Sequence, residues 1–131
     1  MSTPTVTSTN PLTAAREAIT EAARAAGWNV YPAPPEVATL PMLVVSPGDP
    51  WAAPVTWSRT EVSLLLSASA TQAGSNDAAM TALESALWQL FGLLRDVGCI
   101  IGTASQPRQV TYGQAQALTI DIAVRLHVDD E

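Results

Sequence analysis

The feature that most constrains this chain is an alternation near its C-terminal end. Leu118, Ile120, Ile122, Val124, Leu126 and Val128 occupy every second position, with Thr119, Asp121, Ala123, Arg125 and His127 between them. Successive side chains of a strand point to opposite faces, so residues 116–128 build one apolar face and one mostly polar face. On a helix the same apolar residues would scatter around the whole circumference. As a strand the stretch would run roughly 40 Å, well beyond the usual length of about 5–6 residues. A ribbon this long needs neighbouring strands and a cover for its apolar side.

The 131 residues correspond to one domain, able to bury about two-thirds of the surface its unfolded form exposes. Residues 1–10, rich in Ser, Thr and Pro, are expected to be a flexible tail, and residues 11–131 a single domain. The opening MSTPTVTSTN carries neither a basic nor an apolar region, so no secretory signal is expected. No apolar run approaches the roughly 18 residues of a membrane helix. A single cysteine, Cys99, excludes an internal disulfide and most thiolate metal sites, and reads as a small buried hydrophobe. The chain has no lysine, and its six arginines stand against twelve acids for a net charge of −6. Neither the basic clusters of non-specific nucleic-acid binding nor a polybasic membrane patch is present.

In chain order, Asn10 is a good N-cap and Pro11 suits a first helical position. Leu12, Ala15, Ile19, Ala22 and Ala26 make a narrow stripe of mostly small residues, and Gly27 supplies the stop. Residues 28–31 read as a short strand, followed by Pro32, Pro34 and Pro35. Residues 42–46 read as a strand closed by the turn cluster Pro47-Gly48-Asp49-Pro50, and residues 51–58 as an exposed loop or irregular edge. Residues 59–70 alternate as a second long strand, interrupted by Leu65 on the polar side, which fits a partly covered outer face. A turn over residues 71–75 leads to a helix capped by Ser75 or Asn76 and favoured by Asp77 near its positive end. Met80, Leu83, Leu87, Leu90, Leu94 and Val97 form its stripe, widened by Trp88 and Phe91, and Gly98 ends it. The run is too short for a coiled coil of about 3–4 heptads. Residues 99–102 and 108–112 read as short strands or edges around a Ser105–Pro107 turn. Two helices separated by runs of strands imply an α+β fold: a mostly antiparallel twisted sheet with both helices packed on one face.

Chemistry is sparse in this pattern. His127, the only histidine, lies near the chain end beside Asp129 and Asp130 and reads as a solvated strand-end residue. A triad, or a metal site with Asp121 and Asp129, would have to be built around it. Gly98 to Gly102 lacks the lysine and helix of a phosphate loop. Glu61 and Asp121 are the carboxylates to consider for glycosidase chemistry, with solvated sheet positions as the simpler reading. The chain is therefore expected not to be an enzyme and to use no cofactor or metal.

Binding features are stronger. Trp51 and Trp57 lie in a proline-flanked stretch, where they either fold back over the domain edge or anchor an interface. Arg59, Arg108 and Arg125 complete the candidate interface, with solvated or locally paired arginines as the alternative. Strands with uncharged stretches, such as residues 64–70, are candidate edges for subunit contacts.

The succession AAGWNVY, PMLVVSPGD, EVSLLLSASA, ALESALWQLFGLLRDVG and GQAQALTIDIAVRLHV resembles the tail terminator proteins of long-tailed bacteriophages, and is similar to other small head–tail joining proteins of the phage neck. The resemblance covers residues 12–128 as element order and texture. It implies a virion protein of the tail and neck, assembled in the bacterial cytoplasm. Such a protein forms a homo-oligomeric ring, commonly a hexamer, on the tail tube protein, stops further polymerisation and docks the head-completion or stopper protein. DNA would pass the lumen without specific binding, which suits an acidic chain, and neither catalysis nor a membrane is involved. Other expectations are a stopper, adaptor or other tail component, or a small bacterial ligand-binding or enzymatic α+β domain.

Overall fold

The computed structural model describes residues 10–33, 39–71, 76–112 and 115–129. They form α1 (Pro11–Ala25), β1 (Asn29–Tyr31), β2 (Met42–Thr56), β3 (Arg59–Thr71), α2 (Asn76–Val97), β4 (Ile100–Ala104), β5 (Arg108–Tyr112) and β6 (Ala115–Asp129). The fold is α+β, and β1 against β2 is the one parallel pairing among the described strands. The tail expected over residues 1–10 falls outside the described residues except for Asn10, and so do Pro34, Pro35, Ser75 and Asp130.

β6 holds the sheet together. It pairs with β3 in unbroken antiparallel register from Arg59↔Asp129 to Thr71↔Ala117. Its other side takes β4 and β5 in succession. Between these two, the Ser105 amide donates to the Asp121 carbonyl at 2.7 Å, so β4, Ser105 and β5 act as one interrupted edge strand. β2 lies beyond β3, and β1 borders only Met42–Val44 of it.

The even-numbered residues of the two long strands face the helices. Val62, Leu64, Leu66 and Ala68 on β3 join Ile120, Ile122, Val124 and Leu126 on β6 in one buried cluster with Ala15, Ile19 and Ala23 of α1 and Leu83, Leu90 and Leu94 of α2. Each buried aliphatic side chain contributes about 1.5–3 kcal/mol of transfer free energy. Both helices therefore sit on one face, as their stripes require.

Both helices also end in the same way. Gly27 (φ 97°) and Gly98 (φ 102°) take the left-handed conformation that a Cβ disfavours. Each is followed by a residue whose amide reaches back five positions, Trp28 to Ala23 at 3.0 Å and Cys99 to Leu94 at 2.9 Å. This double-bonded ending satisfies otherwise open carbonyls and turns Trp28 and Cys99 into the core, where both are 7% exposed. At the other end of α1, the Asn10 side chain accepts from the amides of Leu12 and Thr13.

Several expectations are corrected. Pro47-Gly48-Asp49-Pro50 does not close a strand: β2 continues to Thr56, and the tetrapeptide is accommodated as a bulge between the pairs Pro47↔Leu64 and Ala52↔Val62. Pairing with β3 on both sides of the interruption overrides the local turn preference. Residues 64–70 lie in β3 between β2 and β6, so they are no edge. On α1 the next buried turn after Ile19 is Ala23, whereas Ala26 is exposed because the helix has already ended at Ala25. On α2, Met80 is 38% and Trp88 69% exposed, and Ala79 is buried instead. The core widens along Ala79, Ala86 and Leu93, where small side chains permit close approach, and Trp88 falls on the opposite flank. Asn76 is the first residue of α2.

The sheet's free flank along β2 carries three prolines, Pro47, Pro50 and Pro54, which lack the amide donors a further strand would need.

Candidate functional site

The last ladder pair with both residues buried is Val62↔Leu126, and Val128, two residues on, is half-buried against the same core. Beyond it the sheet continues through Thr60↔Val128 and Arg59↔Asp129, with Pro54 and Thr56 of β2 alongside. This extension of about three residues runs roughly 10 Å beyond Val62 as the end of three paired strands, half-covered at Val128 and bare at its tip. Trp57 and Ser58 form the turn at its end, and the Ser58 amide donates to Thr56 Oγ1 at 3.3 Å. Trp57 is 96% exposed and Val55 50%. Trp57 therefore stands free on a paired backbone.

Trp51 behaves differently. It lies in the β2 bulge and walls a half-open cavity of about 330 Å³ with Leu12 and Arg16 of α1, Pro32, Pro47 and Leu64, leaving 47% of its surface exposed. Of the two rings, Trp51 leans back over the domain edge, whereas Trp57 does not.

The three candidate arginines all have carboxylate partners. Arg59 Nε donates to Asp129 Oδ1 at 2.8 Å within this extension. That hydrogen bond, with the carboxylate's charge behind it, raises the guanidinium pKa. Arg108 Nη1 and Nη2 donate to Asp121 at 2.6 and 3.3 Å, a two-point pairing on the sheet face away from the helices. Arg125 Nη1 lies 3.7 Å from Glu61 Oε2 on the same face. Only Arg59 is brought near Trp57, and Arg108 and Arg125 belong to the sheet's outer face.

That face is a ladder of polar cross-strand pairs. His127 Nε2 and Glu61 Oε2 are 2.9 Å apart, and the Ser67 hydroxyl donates to Asp121 Oδ1 at 2.8 Å. Burial acts to raise the Asp121 carboxyl, but hydrogen bonds from Arg108 and Ser67 and the Arg108 charge outweigh it and hold the pKa below its ordinary value. Toward the other end, Ser69, Thr119 and Met42 are fully buried, and Val44 beside them is nearly so. The outer face is thus covered there and open around Glu61 and Arg125.

The spacing argues against the chemistries considered from sequence. Glu61 pairs with His127 and Ser67 with Asp121. Six residues of strand separate the two carboxylate levels, roughly 20 Å, against the roughly 5–9.5 Å of glycosidase pairs. Cys99 belongs to the helix-side core and His127 to the opposite face, so the sheet separates thiol from imidazole. Burial pushes the Cys99 thiol up to about 11. No cluster of three or more metal-ligating side chains occurs among the described residues. No helix among them is long and apolar enough to cross a membrane.

One surface escaped sequence reasoning. Trp88 and Phe91 lie 6.5 Å apart on α2, and the Arg95 guanidinium sits over both rings, at 5.7 and 5.9 Å from their centroids. Met80 and Trp88 are exposed on this flank of α2, and Phe91 is half-buried between Trp88 and the core. The available signal was the spacing of residues 80, 84, 88, 91 and 95, a second stripe parallel to the leucine one.

Comparison with protein-family models gives no match, and comparison with curated proteins gives none either.

Proposed function

We propose that this chain is a structural protein of the phage neck, a tail terminator whose copies form a ring on the tail tube, stop its growth and receive the head-completion protein. The observation that carries the reading is the paired extension bearing Trp57 at 96% exposure on its tip. A large aromatic side chain held in solvent on an ordered hairpin is the composition of an interface anchor. Trp88 supplies a second exposed aromatic on a different element. Two such surfaces on one subunit suit heterologous contacts, which close into rings. The net charge of −6 suits a lumen that DNA traverses without being held. In this reading the chain acts without catalysis or cofactor, and it ends in the virion.

The test is the mass of the purified chain by light scattering, negative-stain imaging of the particles, and addition to polymerising tail tube protein. Annular particles and tubes of arrested length are expected. A chain that stays monomeric at all concentrations and leaves tube growth unchanged overturns the reading.

The half-open cavity beside Trp51 and Arg16 favours a second reading, a small ligand-binding domain. A monomer that is stabilised against heat by a small anionic aromatic compound would select it.

A further inference from the structure

We infer that the cavity beside Trp51 takes a flat aromatic monocarboxylate, its ring against the Trp51 indole and its carboxylate on the Arg16 guanidinium. The inference rests on the second reading above, a ligand-binding domain, and specifies the charge and shape of the ligand. It holds whether or not copies assemble.

Charge carries it first. Arg59, Arg108 and Arg125 are paired with carboxylates, Arg24 Nη2 donates to the Val30 carbonyl at 3.4 Å, and Arg95 lies over Trp88 and Phe91. Arg16 is the one arginine left without a partner among the described residues, in a chain with twelve acids and six arginines. It borders a cavity of about 330 Å³, and no acidic side chain of the described residues lines that cavity with it. A guanidinium presents a planar fork of donors that matches a carboxylate, and here the protein supplies none.

The start of α1 limits the ligand to one negative charge. The cavity opens beside Asn10, Leu12 and Thr13, where free helix amides would ordinarily help to hold an anion. Those amides are already taken. Asn10 Oδ1 accepts from Leu12 and Thr13, the Asn10 carbonyl accepts from Ala14, and Pro11 has no amide to give. Arg16 is therefore the sole positive group at the site. It balances a monoanion, whereas a dianion would add an unbalanced charge to a molecule already at −6.

Shape follows from the walls. Val45 and Leu64, each 4% exposed, close the inner end, and Leu12, Pro47 and Trp51 line the sides. Trp51 keeps 47% of its surface open, so a flat ring stacked on the indole removes apolar area from water on both partners. The volume lies at the small end of the roughly 300–1,000 Å³ of ligand pockets, which suits one or two fused rings.

The experiment is calorimetric titration of the full chain with 2-naphthoate, its neutral isostere 2-naphthamide and the dianionic 2-naphthyl phosphate. Naphthoate is expected to bind with a Kd on the order of 100 µM, in keeping with its size. The amide and the phosphate are expected to bind at least about tenfold more weakly. Arg16→Gln, an exposed helix position given another good helix former, should weaken naphthoate about tenfold or more and leave naphthamide unchanged. Trp51→Leu should weaken both ligands alike, and the melting temperature of each unliganded variant checks its folding. Naphthamide bound as tightly as naphthoate, or naphthoate bound undiminished by Arg16→Gln, overturns the carboxylate site while the ligand-binding reading stands. Tighter binding of the phosphate overturns the single charge. Saturable binding of none of the three overturns the inference and the reading beneath it.

Discussion

The hydroxyls of Ser69 and Thr119 meet at 2.8 Å across the β3–β6 ladder, and neither residue is exposed to solvent. Each supplies the other's hydrogen bond in a place where water does not. Ser69→Ala is expected to lower stability by about 1–3 kcal/mol, because it strands the Thr119 hydroxyl. Replacing both partners, Ser69→Ala with Thr119→Val, is expected to recover most of that loss. Urea titration of the parent and the two variants measures the difference, and equal losses in the single and the double variant would refute the mutual dependence.

Two glycines should respond oppositely to alanine. A Cβ on Gly48 would lie 2.9 Å from the backbone carbon and oxygen of Ser63, so Gly48→Ala must push the β2 bulge away from β3. A destabilisation of about 1–3 kcal/mol is expected, as for other forced fits. Gly92 lies within α2, and a Cβ there meets nothing within 4 Å. Gly92→Ala is therefore expected to stabilise by roughly 0.5–1 kcal/mol. Thermal unfolding of both variants tests the pair of signs.

The Asp121 carboxyl gives a stability that depends on pH. Its pKa in the folded chain is held down by Arg108 and Ser67 against the opposing effect of burial. The contribution is thus complete above the ordinary carboxylate pKa of about 3.9 and lost as pH falls through the lower folded value. Asp121→Asn is expected to destabilise by about 1 kcal/mol at neutral pH, a partly exposed pair being worth no more. Below about pH 4 the gap between parent and variant should narrow. A gap that stays constant from pH 7 to pH 3 would exclude this carboxylate as the source.

Cys99 is expected to be inert in the native state. Its thiol is buried and pushed up to about 11, so at pH 8 only on the order of one in a thousand molecules carries the thiolate. Labelling with a disulfide reagent at pH 8 should be at least about a hundredfold slower in buffer than in guanidinium chloride. Equal rates in the two conditions would mean that the helix end at Gly98 opens readily.

The C-terminal ribbon was legible because its alternation is strict, and both long strands and both helices lie where periodicity places them. The helix ends were legible too, since Gly27 and Gly98 are the residues that left-handed endings require. What escaped was decided by contacts remote in sequence. Pro47 to Pro50 has the composition of a turn, yet pairing with β3 on either side absorbs it as a bulge. Trp88 and Ala86 flank the leucine stripe on opposite sides, and only the sheet's position decides which flank is buried. The alternation assigns Ser69 and Thr119 to a wet face, and burial of a matched hydroxyl pair leaves no trace in either residue's neighbours. Of the candidate site, Trp57 and Trp51 could be singled out by residue type and flanking prolines, but the exposed flank of α2 at Met80 and Trp88 was hidden within a helix whose apolar residues were all assigned to the core.

The prolines along β2 have a consequence for how the molecule behaves in a crowd. Backbone-to-backbone zippering is denied on that flank, so stacks of copies cannot lengthen there into fibres however many are synthesised together. Any recognition between copies along that flank is left to side chains, whose shapes permit a count of partners to be finite.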